Sequence, residues 1–340
     1  MSKNWQDYGA MTAALASGAD DLLTRDKSDT TDHATEGTVR RLAWEALLAA
    51  SGLTPGGRLT LESGVPISTS NQTAKGTLYY TPYVHDYVRL YDGTRPKLYT
   101  FTERSLSLTV TSGKNHDVFL YDNSGTLTLE LSAAWTNDTT RADALAWQSG
   151  VGYVKSGTAT RLWLGTIRAS GTNTTEQSFV TTDAPVKQFV WNAFNRVRVG
   201  LFCHDSTDSW TYTTATWRRK RASANNQIEV VCGQDGVSLL DLRNMGSSHN
   251  SSGQVSMIYG IGIDATDALA TGCSSADCYS GISSYIVSVH RAALLSYLAA
   301  LGYHYAAAIE YSDALGTTTW VGDGGAPKNF KNALHGVWEC

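Results

Sequence analysis

From Arg58 to the carboxyl end, apolar residues recur at every second position in short runs, each bounded by turn-forming residues. The first five runs are Gly76–Tyr80, Tyr87–Tyr91, Lys97–Phe101, Asp117–Tyr121 and Thr126–Leu131. A period of two places alternate side chains on opposite faces of an extended strand, so each run reads as a strand with one buried face. No helical pattern alternates with the runs, which argues against a parallel sheet and for antiparallel sandwiches or jelly rolls. Asp92-Gly93 and Ser124-Gly125 stand between paired runs and tolerate the positive φ angles of tight reversals, so both pairs are expected to be hairpins. Strands are also expected at Gly152–Lys155 and Arg161–Arg168.

A Thr-rich stretch from Ser170 to Pro185 separates this part from a second β-rich one. Phe189–Phe194 reads as a short helix or turn. Strands are then expected at Val197–Cys203, Ser209–Thr214, Ile228–Cys232, Val237–Leu242, Val255–Ile261, Ser284–His290, Gly302–Tyr311 and Thr317–Val321. Within the penultimate run, Tyr303, Tyr305, Ala307, Ile309 and Tyr311 alternate strictly. The expected class is mainly β: tandem antiparallel sandwich or jelly-roll-like units over 58–180 and 186–340, behind a short helical N-terminal segment, 1–57.

That segment has the other periodicity. Val39, Leu42, Ala43, Ala46, Leu47 and Ala50 recur at steps of three and four, with Thr38 as N-cap and Gly52 with Pro55 as stops, predicting a helix over Thr38–Ala50. A lone helix of this length is marginal in water, so its apolar face is expected to form an assembly interface with another chain.

Composition narrows the partners. Charged residues are 17% of the chain and the net charge is -4, which leaves no broad basic surface for nucleic acid. The amino terminus lacks the order of a secretion signal. The most apolar stretch, Ala292–Ile309, is interrupted by polar and aromatic residues, so no membrane insertion is expected and the chain is expected to be made in the cytoplasm. Of five cysteines, only Cys273 and Cys278 are close, with four residues between them and no second pair, so neither a metal site nor another cofactor is expected. Those two are spaced for a local disulfide, whereas Cys203 and Cys232 lie in strand-like runs and read as buried thiols. Cys340 closes the given sequence and is expected to be exposed, either free or in an intersubunit disulfide.

Constellations that carry chemistry are few. Cys203, His204 and Asp205 are consecutive, and consecutive strand residues face opposite ways, so they do not form a local triad. Asp117, Asp122, Glu130, Glu229, Asp241 and Glu310 lie on or beside strands. A glycosidase would need two such acids at a set separation. Trp210, Tyr212 and Trp217 flank Arg218, Arg219, Lys220 and Arg221, a combination that suits contact with a sugar or an anionic glycan. The ordinary alternative is a solvated, mobile loop of like charges. Gly322–Gly325 holds a single acid and reads as a turn.

The segments 58–94, 97–103 and 111–151, with the motifs RLWLGTIRASGT (161–172), FVWNAFNRV (189–197), GYHYAAAIEY (302–311) and LHGVW (334–338), resemble a sequence type found among structural proteins of tailed-phage virions. The resemblance implies an all-β module in a virion, as a tail-fibre, neck, collar or other appendage subunit. It also implies a homo-oligomer, such as a trimer, contacting other virion proteins. It carries no catalytic motif, and no enzyme activity is expected. The alternative function is a receptor-binding module for host-surface glycan, with a glycan-cleaving tailspike as a further variant.

Overall fold

The structure, a computed structural model, describes residues 21–26, 38–43, 54–252, 254–279, 289–323 and 331–340. The described chain is mainly β, with two single-turn 3-10 helices at Lys220–Ala222 and Ala224–Asn226. Among these residues no helix is long and apolar enough to cross a membrane.

Both expected hairpins form. Tyr87–Tyr91 pairs with Pro96–Thr100, and the intervening turn is closed by Asp92 Oδ1, which accepts from the main-chain N–H of Thr94 and Arg95 at 2.8 Å each. Asn115–Asn123 pairs with Thr126–Leu131, with Ser124 and Gly125 at φ of 54° and 94°, the left-handed pair that a two-residue reversal requires. Thr158–Arg168 lies on the other side of Asn115–Asn123 and continues through Gly152–Lys155 to Leu145–Gln148. Leu59, Leu78, Val88, Leu90, Val118, Leu120, Leu162 and Leu164 pack into one core over this sheet.

With Val190–Asn192 also on Thr158–Arg168, this sheet has six strands. Gly57–Thr60, Thr77–Pro82 and Arg104–Ser107 form a three-stranded sheet, and two larger sheets follow. One of seven strands runs Val180–Thr182, Arg198–His204, Ala333–Glu339, Leu239–Asn250, Thr318–Val321 and Ser209–Thr211, with Val289–Leu298 also on Leu239–Asn250. One of eight strands runs Ala276–Asp277, Met257–Ile263, Gly302–Ser312, Gln227–Cys232, Val186–Gln188, Thr175–Gln177 and Gln72–Lys75, with Arg218–Arg219 also on Gly302–Ser312. Their inner faces share a second core, in which Leu201, Leu242, Leu295, Trp320 and Trp338 meet Ile228, Val230, Met257, Tyr259 and Ala306. This is a sandwich-like arrangement. Gln72–Lys75 comes from the first β-rich part yet hydrogen-bonds into this sheet, on Thr175–Gln177. Most pairings are antiparallel. Val180–Thr182 on Arg198–His204 and Val186–Gln188 on Gln227–Cys232 are parallel.

Two local expectations are corrected. Thr38–Ala43 is a strand, paired antiparallel with Asp21–Asp26 so that Leu42 stands opposite Leu22 and Val39 opposite Arg25. Val39, Leu42 and Ala43 therefore do not lie on a helical face, while Ala46, Leu47 and Ala50 fall outside the described residues. Val39 is β-branched and favours the extended chain, nucleation of a short helix is costly, and a partner strand offers main-chain bonds at once. Val190–Asn192, expected as helix or turn, is a fully buried strand on Thr158–Arg168, because Val190 and Trp191 fill the space beside Leu59 and Trp163. Gly302–Ser312 forms a strand as expected, with Ala307 and Ile309 fully buried on its alternating face. Ala306 and Ala308 face the inter-sheet core together with Glu310, all fully buried, while Tyr303, Tyr305 and Tyr311 are half-buried on the other face. The bulk of the opposite sheet, Trp320 and Trp338, leaves room there for small side chains.

Candidate functional site

The basic run Arg218–Arg221 is built into the sandwich. Arg218–Arg219 pairs with Glu310 and Ile309, and the chain then turns through Arg221, at φ 53°, so that Lys220 points between the sheets with no exposed surface. Its ammonium Nζ donates to Asn244 Oδ1 at 2.5 Å, to Asn332 Oδ1, and to the Met245 carbonyl at 3.3 Å. It also stands 5.3 Å from the centre of the Tyr259 ring. Burial pushes the Lys220 pKa down, opposed by the charge of Glu310.

Glu310 is equally buried. Its carboxylate accepts from Arg218 Nη2 at 2.7 Å, Trp210 Nε1 at 2.9 Å and the Arg221 main-chain N–H at 3.1 Å. Burial pushes this carboxyl up, and Arg218 and Trp210 oppose it. The two asparagines are aimed by their own amide groups: Asn244 Nδ2 donates to the carbonyls of Gly260 and Ile309, and Asn332 Nδ2 to that of Val321 at 2.8 Å. Asn244 and Asn332 belong to the seven-stranded side, and Arg218 and Glu310 to the eight-stranded side. The lysine therefore bridges the two sheets.

The flanking aromatics are correspondingly occupied. Trp210 is tied to Glu310, Tyr212 lies under the Arg218 guanidinium at 3.7 Å, and Trp217 packs on Tyr311. Arg221 pairs with the buried Asp205 at 2.7 Å. The expectation of a mobile, mutually repelling loop is thus corrected, because Glu310 pairs with Arg218, Asp205 pairs with Arg221, Lys220 is buried, and strand pairing fixes the run.

The other candidates disperse. Cys203 lies in the core, where burial raises its thiol to about 12, whereas His204 faces the opposite way, 3.7 Å from Asp323. The acids also take separate partners: Asp122 with Tyr99, Glu130 with Arg161, Glu229 with Tyr303, and Asp241 with Ser296. Cys340, expected to be exposed, is 1% exposed, and its carbonyl accepts from Arg58 Nη2 at 3.2 Å. Antiparallel pairing of Arg198–His204 with Ala333–Glu339 carries it into the core. An intersubunit disulfide through Cys340 is corrected on that ground.

Three features were not found by reading motifs. Asp117 is buried in the six-stranded sheet and accepts from Trp135 Nε1, Trp163 Nε1, Thr166 Oγ1 and Arg141 Nε at 3.0, 3.0, 2.8 and 2.9 Å. Arg141 lies over both indoles, 4.9 and 4.8 Å from their centres. Trp147, 69% exposed, stands edge-on to Tyr153 at 5.3 Å beside a cavity of about 330 Å³. On the outer face of the seven-stranded sheet, a cross-strand ladder runs Leu294, Arg243, His335, Phe202, Val180. It lines an open groove of about 1090 Å³ with Leu295, Val337 and Met245. Leu294, Leu298, Val337 and Val180 are exposed there. Alternation along each run signalled the strands, but which face stays uncovered depends on pairings between distant segments.

No family model matches the chain, and no curated protein matches it in sequence. Among solved structures, dimeric latent PorU from Porphyromonas gingivalis is similar over 75% of this chain and 19% of its own, at 8% identity and a TM-score of 0.26. This chain thus spans about a fifth of that protein. The infectious bursal disease virus Gt strain structure aligns over 84% of this chain and 74% of its own, at 10% identity and a TM-score of 0.24. The insecticidal delta-endotoxin Cry8Ea1 from Bacillus thuringiensis aligns over 94% and 59%, at 7% identity and a TM-score of 0.21. At such scores these likenesses carry no argument about function.

Proposed function

We propose that the chain is a non-enzymatic structural subunit of a tailed-phage virion that acts by self-assembly, with the outer face of the seven-stranded sheet as its contact surface. The observation that carries this reading is the open groove on that face, flanked among the described residues by the exposed Val180, Leu294 and Val337 with Phe202, Arg243 and His335 between them, and with the exposed Leu298 further along the same strand as Leu294. Apolar side chains gathered on one sheet face, rather than scattered, mark surfaces that another protein covers. The sequence resemblance supplies the setting, and the described fold presents that face on a rigid sandwich. The assembly is proposed to be a homo-oligomer, for example a trimer, contacting other virion proteins.

Light scattering on the purified full chain tests this directly. A stable oligomer that dissociates on Leu294→Glu with Val337→Glu, with circular dichroism unchanged, is expected. A monomer at every concentration overturns self-assembly through this face, and imaging of labelled subunits in particles would locate the protein. The exposed Trp147 and Tyr153 pair favours a second reading, glycan binding at that hairpin, since a solvent-facing indole offers an apolar platform to a sugar ring. Quenching of tryptophan fluorescence by host-surface polysaccharide, abolished by Trp147→Ala, is the expected signature. No quenching removes it.

A further inference from the structure

We infer that Lys220 and Asn332 condense into an intramolecular amide, an isopeptide cross-link joining the two sheets of the C-terminal sandwich, with Glu310 carrying the proton. The inference is independent of where the protein acts. It rests on an arrangement that a purely structural lysine does not need: a fully buried amine held against a side-chain amide, beside a fully buried acid.

Amide exchange between a lysine and an asparagine is slow in water for three reasons, and the site removes each. The amine is ordinarily protonated, but here burial favours its neutral, nucleophilic form. The two groups ordinarily meet rarely, but here strand pairing on opposite sheets holds Nζ against the Asn332 amide, and fixed contact of this kind supplies high effective concentration. The proton must also be moved. Glu310 acts electrostatically on the amine and accepts from Arg221, the residue next to Lys220.

The step balances without any co-reactant. The Lys220 Nζ lone pair attacks Asn332 Cγ, forming the C–N bond and placing negative charge on Oδ1. The proton lost by Nζ passes to the Glu310 carboxylate and from there to Nδ2. The Cγ–Nδ2 bond then breaks, ammonia leaves, and Glu310 is regenerated. No group is oxidised or reduced.

Asn332 is assigned over Asn244 by its amide nitrogen. Asn244 Nδ2 is engaged by two main-chain carbonyls, Gly260 at 2.7 Å and Ile309 at 3.2 Å, which hold it planar and in place. Asn332 Nδ2 is held by one main-chain carbonyl, that of Val321, with the Tyr259 hydroxyl as its side-chain neighbour, so fewer fixed main-chain acceptors oppose its departure. Asn244 then serves as a positioning residue, its Oδ1 steering the amine. The bond would close a loop between positions 112 apart in sequence.

Mass spectrometry of the purified, denatured full chain tests this. The wild type is expected to be lighter than its sequence by one ammonia, and trypsin is expected to release a branched peptide containing both Lys220 and Asn332. Lys220→Met and Asn332→Ala are each expected to restore the full mass, and Glu310→Gln to leave folded protein largely unlinked. Because the decisive measurement is on the wild type, it does not depend on any variant folding. A wild-type chain at full mass after prolonged incubation overturns the inference. So does an ammonia loss confined to one linear peptide, the mark of a succinimide, or a branch at Asn244.

Discussion

Replacing Asp117 by Ala is expected to be among the most damaging single changes in the six-stranded sheet. The carboxylate has no exposed surface and accepts four hydrogen bonds, from two indoles, one hydroxyl and the Arg141 guanidinium. Burial pushes its pKa up, and Arg141 opposes that rise, so the charge depends on its partner. Removing the acid leaves the Arg141 charge without its ion partner, hydrogen-bonded to the Gly233 carbonyl and lying over Trp135 and Trp163, with its side chain only 14% exposed. Breaking a buried pair costs about 3–5 kcal/mol, and stranding a buried donor about 1–3 kcal/mol, but these terms overlap because the groups share one acceptor. A total of about 4 kcal/mol is expected, which at a typical denaturant slope lowers the urea midpoint by about 1.5 M. Trp135 and Trp163 report the transition by fluorescence, since their own indole N–H groups lose the acceptor. The double variant Asp117→Leu with Arg141→Leu is expected to be more stable than the sum of the two single losses, because neither charge remains. A cost below about 1 kcal/mol for Asp117→Ala, or strict additivity in the double variant, would refute the reasoning.

Other expectations follow from particular positions. His204 and His335 both have pKa values lowered, first by burial, so the unfolded chain binds protons more readily. The stability they contribute is present above the unfolded value of about 6.5 and lost as pH falls below it toward the depressed folded values. Urea midpoints measured on either side of that pH should fall on acidification, and less so in His335→Gln. Gly165→Ala should destabilise by about 2 kcal/mol or more, because a Cβ would stand 2.1 Å from the Trp191 carbonyl at the strand irregularity beside Trp163. Thermal melting of the variant measures this. The Cys340 thiol, pushed up to about 11 by burial, should resist a thiol reagent until the chain is unfolded, and rapid native labelling would contradict its placement.

What could be read directly from the sequence was what neighbours in sequence decide. The hairpins Tyr87–Thr100 and Asn115–Leu131 were legible because Asp92-Gly93 and Ser124-Gly125 specify their own turns, and the period-two runs between them specify strand faces. The same logic failed at Thr38–Ala43, where a helical spacing over few residues lost to pairing with Asp21–Asp26. It failed again at Val190–Asn192, where burial against a distant strand set the conformation. Composition and alternation thus determined a β protein with its local turns. Tertiary structure alone decided that Lys220 meets Asn244, Asn332 and Glu310, that Asp117 gathers two tryptophans and an arginine, and that Cys340 is inside. Each of those depends on which segments pair across the sheets. Register between strands far apart in the chain is settled by the packing of whole faces, which no short stretch of sequence encodes.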